Sequence, residues 1–179
     1  MTSPLDWSHE IAEISDAGLR VVRTATPAER AALAAALALP SIEALEVTYR
    51  IEPDRHHLYR MTGRLRADLT QTCVVSLEPV AAVVEEEIDV VFVDQRSDTD
   101  DEASDAEEAD REILSGPDEE LIENGRFHVG QIVYEVLSAG LDPYPRKAGA
   151  EFDWTDAKAA AESAASNPFA VLKSLKRGD

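Results

Sequence analysis

The chain has 179 residues, 44% of them hydrophobic and few aromatic, with 36 carboxylates against 17 Lys and Arg and a formal net charge of −19 at pH 7. This length holds one core of about 130–150 residues plus tails and would cramp two full domains, and the acidity, concentrated in one segment, suggests a basic partner and not a nucleic acid approached from that side. One cysteine, Cys73, cannot form an internal disulfide, a zinc ribbon or a Cys-x-x-Cys redox pair.

The first seven residues lack the basic and apolar regions of a signal peptide. The longest apolar run, 31–40, is about half of what spans a bilayer. A cytoplasmic chain with no membrane partner is expected. Residues 5–24 predict one or two short strands broken at Asp16-Ala17-Gly18, with 19–23 the clearer one. Thr26-Pro27-Ala28-Glu29 predicts a helix start, with Thr26 as cap, Pro27 in the first turn and Glu29 closing a capping box. This Ala- and Leu-rich helix should run to about Leu39, end at Pro40 and turn Leu33 and Leu37 inward.

A β-hairpin follows. Leu45, Val47, Tyr49 and Ile51 alternate with Glu46, Thr48, Arg50 and Glu52, a period of two. After a loop at 53–57, Tyr59, Met61, Gly63, Leu65, Ala67 and Leu69 return on one face. Arg60, Thr62, Arg64, Arg66, Asp68 and Thr70 occupy the other. Beyond a break at Glu78-Pro79, residues 83–93 predict another strand, with Val84, Ile88, Val90 and Phe92 on its buried side.

The charge is concentrated in the next stretch. Residues 85–123 hold 18 of the 36 carboxylates and only two cations, Arg96 and Arg111. Residues 97–110 have no large apolar side chain, so 96–112 is expected to be a mobile, solvated insertion suited to a basic partner. Asn124-Gly125 then marks a turn. Phe127-His128 opens a helix with Val129, Ile132, Val133, Val136 and Leu137 inward, and Phe127 as a staple onto Ile132. Gly140 and the prolines at 143 and 145 close it. The tail, 155–177, reads as an Ala-rich stretch and then a capped helix with Phe169, Leu172 and Leu175 in a stripe.

No catalytic constellation is visible: there is no phosphate loop, nucleophile elbow or His-Glu-x-x-His pattern. His56 and His57 are adjacent and point apart, which suits a polar turn better than a metal site, and His128 is read as structural. Cys73 has no cation beside it in sequence and is expected as a small buried apolar residue. No cofactor is expected. Two elements are candidate binding sites. Arg60, Arg64 and Arg66 share a strand face and could meet several phosphates, with an ordinary solvated face as the competing reading. Asp142, Pro143, Tyr144, Pro145, Arg146 and Lys147 form a stiff aromatic-plus-basic segment that suits RNA or protein, or serves only as a rigid helix stop.

Four blocks together resemble the YceD-like family of large ribosomal RNA subunit accumulation proteins. They are residues 63–78 (Gly-Arg-Leu-Arg-Ala-Asp-Leu-Thr-Gln-Thr-Cys-Val-Val-Ser-Leu-Glu), 130–135, 141–147 and 167–172, with an acidic spacer before the second. Many relatives carry further cysteines around the first block. Only Cys73 stands here, so a metal role does not carry over. His128 stands where an aspartate cap is usual. The resemblance implies a non-enzymatic factor for accumulation of large-subunit (23S-type) ribosomal RNA. Its partners would be that RNA or a pre-ribosomal particle, or a basic ribosomal protein. An acidic adaptor or chaperone for a basic client without RNA contact is the alternative. The fold class expected is α+β: one domain over 1–177, an antiparallel sheet with a barrel as one way to close it, and two or three packed helices.

Overall fold

The computed structural model describes residues 4–54, 58–94 and 118–151. Three long strands dominate: β3 (Ser41–Pro53), β4 (Leu58–Thr72) and β5 (Pro79–Val93). Shorter ones are β1 (His9–Glu10), β2 (Leu19–Thr24), β6 (Asp118–Leu121) and β7 (Arg126–Phe127). Two helices accompany them, α1 (Pro27–Ala36) and α2 (Val129–Ala139). The main sheet runs β2-β3-β4-β5-β6, and β1 pairs with β7 apart from it.

Pairing is antiparallel from β2 to β5, as expected, but β6 lies parallel to β5, with Val90 opposite Asp118. The sequence reading missed β6 because Asp-Glu-Glu-Leu continues the acidic run and has little intrinsic strand preference. The sheet is also open: among the described residues β2 and β6 are its two edges, and no barrel closes. Two helices are described, and the one expected in the tail lies outside the described residues, as does the acidic insertion at 96–112.

The period-two faces settle as read. Leu45, Val47, Tyr49 and Ile51 from β3 meet Met61, Leu65, Ala67 and Leu69 from β4, and Val84, Ile88, Val90 and Phe92 from β5, all buried. Helix α2 covers β4 and β5 with Val129, Ile132, Val133 and Leu137, while Leu33 of α1 packs beside β3. Tyr49 lies opposite Gly63, where an added Cβ would stand 2.9 Å from the Tyr49 Cα. The Tyr49 hydroxyl is satisfied by His9 Nε2 at 2.7 Å, and burial pushes its pKa up to about 12.

The helix ends refine the sequence reading. The capping box forms: Glu29 N–H donates to the Thr26 hydroxyl, and Thr26 N–H donates to the Glu29 carboxylate at 2.8 Å. Trp7 Nε1 also donates to Glu29 at 2.7 Å. These bonds, that from the Thr26 backbone first, hold the Glu29 carboxyl below its usual range. The helix stops at Ala36, three residues short of Leu39. Ala38 turns left-handed at φ 54°, and Leu39 N–H returns to the Ala34 carbonyl, so Leu37 and Leu39 pack on the core. Pro40 follows this stop and does not cause it. At α2, His128 is the cap position but makes no side-chain cap bond. Phe127 ends β7 and meets Tyr59 and Phe92 edge-on, both at 5.1 Å.

Candidate functional site

Strand alternation places Arg60, Arg64 and Arg66 on the outward face of β4. Register then decides their electrostatics. Arg64 lies directly across from Glu87 of β5, and Arg66 from Glu85. Arg64 pairs with Glu87 at 3.1 Å, and Arg66 with both Glu85 and Asp68. Arg60 reaches diagonally to Asp89 with two bonds, 2.8 Å from Nε and 2.6 Å from an Nη. The Arg60 bonds hold the Asp89 carboxyl below its usual range and raise the guanidinium's own pKa. Arg20 and Arg50 share this face with Glu46 and Glu52, and Arg50 pairs with Glu52. The face is charge-balanced, with no surplus of cations to offer phosphates.

The second candidate is held more firmly. Segment 142–147 leaves α2 and docks on the turn 73–78 that joins β4 to β5. Gln71, a buried polar side chain, donates to the Asp142 carbonyl at 2.8 Å. The Asp142 carboxylate accepts from Tyr144 N–H at 2.9 Å, fixing the turn before the aromatic ring. Val74 N–H donates to the Pro145 carbonyl at 2.9 Å, and Lys147 Nζ meets Glu78 at 3.0 Å. That ion pair holds the Glu78 carboxyl below its usual range.

Cys73 sits at the centre of this junction. It is buried, as expected, but it is not a passive apolar residue. Its sulfur accepts N–H groups from Lys147 at 3.3 Å, Ser76 at 3.3 Å and Val75 at 3.4 Å. These donors, Lys147 N–H first, lower the thiol pKa to about 6. The expectation was that no nearby cation would favour a thiolate; what favours it is instead this set of hydrogen-bond donors. The donors are three backbone N–H groups and the Ser76 hydroxyl, and the Lys147 N–H comes from a segment 74 residues away, which local sequence cannot show.

Around this junction three large apolar side chains face solvent: Val74 (45% exposed), Leu77 (76%) and Tyr144 (72%). Leu77 also adopts φ 58°, a left-handed conformation unusual for leucine. Sequence reasoning singled out Tyr144 and its neighbours but missed Gln71, Glu78 and Leu77. The opposite charges of Glu78 and Lys147 in two blocks of one resemblance were the available clue.

Elsewhere, a groove of about 510 Å³ runs along α1, lined by Arg30, Ala31, Ala34, Ala35, Leu39 and Pro40. The Ser41 hydroxyl also lines it and donates to the Glu43 carboxylate, but the lining holds no histidine, cysteine or carboxylate. Among the described residues no cluster of three His, Cys, Asp or Glu could hold a metal ion. No helix there is long and apolar enough to cross a membrane. His56 and His57 lie outside the described residues.

A family model described as large ribosomal RNA subunit accumulation protein YceD matches residues 61–176. That is more than half of the chain, which therefore belongs to this family. The match spans both loops of the Cys73 junction. No curated protein and no solved structure matches the chain.

Proposed function

We propose that this member of the YceD family is a non-enzymatic cytoplasmic factor that supports accumulation of large-subunit ribosomal RNA by holding a basic ribosomal protein. The family's name, large ribosomal RNA subunit accumulation protein, supports the role in large-subunit RNA accumulation. The observation that favours a protein over direct RNA capture is the β4 face. Arg60, Arg64 and Arg66 are each matched by a carboxylate of β5, in a chain of net charge −19. These arginines offer phosphate no free cation, and the net charge of the whole chain repels phosphate at long range and attracts a cationic protein. Keeping a basic protein soluble until it meets the growing particle supports the RNA indirectly, since unassembled RNA is exposed to nucleases.

A second reading is favoured by one feature, the rigid segment carrying Tyr144, Arg146 and Lys147. Tyr144 is exposed, and Arg146 has no carboxylate partner among the described residues. Such a pair could stack an unpaired base and meet its phosphate. Depletion of the protein tests the shared role: large-subunit RNA should fall relative to small-subunit RNA. Restoration by Arg64→Gln with Arg66→Gln is expected under both readings. An unchanged RNA ratio on depletion would refute them together.

A further inference from the structure

We propose that Val74, Leu77 and Tyr144 form the short-range apolar docking surface for the basic ribosomal protein, a step that rests on the function proposed above. Three observations converge on this corner. First, these three are large apolar side chains exposed together on one double loop, where an isolated exposed apolar residue would need no explanation. Second, the loop is rigid. Gln71, the Cys73 sulfur and the Pro145 carbonyl tether it at separate points, so little order is lost when a partner binds. Third, Leu77 holds a left-handed backbone that glycine or asparagine adopts with less strain. A residue that is both strained and exposed gains nothing for the free fold.

Charge selects the class of partner. Glu78 and Lys147 pair beside the apolar patch, and the Asp142 carboxylate offsets the charge of Arg146, so the corner carries little net charge of its own. RNA would meet a nearly neutral surface on a strongly acidic chain. A basic protein would be drawn by the charge of the whole chain and then held by apolar contact at the corner. The two contributions separate kinetically: long-range charge sets the association rate and its salt dependence, whereas buried contacts set the dissociation rate.

The test uses the full chain, immobilised, with purified RNA-free basic proteins of the large subunit passed over it one at a time across a salt series. At least one should bind. Leu77→Asn, which suits the left-handed turn, and Tyr144→Ala should each raise its dissociation rate about tenfold and leave association and salt dependence within about twofold. Both variants should melt no more than slightly below the parent, and Leu77→Asn no lower at all. Unchanged dissociation rates would overturn the corner assignment and leave the proposed function standing. If none of the basic proteins binds the parent, both fall. Single-stranded poly(U) binding that Tyr144→Ala abolishes would make the corner a nucleotide site and overturn the proposal. A tenfold gain in protein affinity on removing residues 152–179 would make the chain's own tail the occupant, with the same consequence.

Discussion

Replacing Arg64 and Arg66 by glutamine separates two accounts of the β4 face. Arg64 and Glu87 sit 3.1 Å apart with side chains 70% and 82% exposed, and Arg66 and Glu85 are similarly open. Exposed pairs of this kind contribute about 0.2–1 kcal/mol each. The double substitution should therefore destabilise the fold by less than about 2 kcal/mol, read by urea unfolding. Its effect on RNA is the sharper test. Two single-strand phosphate contacts, if present, would contribute about 1.4 to the slope of log affinity against log salt. Because both arginines are already matched by β5 carboxylates, that slope should not change in the variant. The converse substitution, Glu85→Gln with Glu87→Gln, releases Arg64 and leaves Arg66 only its longer 3.4 Å pairing with Asp68. It should steepen the slope by up to about 1.4. Fluorescence polarisation of a labelled single-stranded segment of large-subunit RNA across a salt series measures both. A slope that drops by about 1.4 in the arginine variant would refute the charge-balance argument.

Other consequences follow from the junction and from α2. An alanine Cβ at Gly130 would stand 2.2 Å from the Leu5 carbonyl oxygen, so the amino-terminal segment must move. Gly130→Ala should cost about 1–3 kcal/mol by thermal unfolding, and a neutral result would contradict this packing. Gln71→Leu leaves the Asp142 carbonyl without its buried donor and should cost about 1–3 kcal/mol, with faster hydrogen exchange at Val74 and Lys147. The ultraviolet absorbance of the Cys73 thiolate should titrate near pH 6, against about 9 for the ordinary thiol. Because the folded pKa is depressed, the stabilisation is full above the ordinary value and is lost as pH falls through about 6. The stability advantage over Cys73→Ala should therefore grow between those two values, and an advantage independent of pH would contradict the N–H cradle.

The strands were legible because one face is buried and the other solvated, so Leu45 to Ile51 and Tyr59 to Leu69 announce their period directly. The capping box at Thr26 was legible for a similar reason, since its partners lie three residues apart. What escaped depends on distant contacts. Strand β6 takes its conformation from pairing with β5, against the preference of Asp-Glu-Glu-Leu. The arginines of β4 looked free because their partners stand 19 to 29 residues away, across a register fixed only when the sheet forms. The Cys73 junction needed a longer separation than these: Gln71 meets Asp142 and Cys73 meets Lys147 across more than 70 residues. Cys73 and segment 142–147 each stood out in the sequence, but their meeting did not.

Purification of the tagged full chain from lysate, with and without ribonuclease, tests the central claim most directly. The recovered large-subunit proteins and RNA are quantified in parallel. The account predicts enrichment of one or a few small basic large-subunit proteins that persists after ribonuclease treatment and falls as salt is raised. Recovery of large-subunit components that ribonuclease abolishes entirely would contradict it.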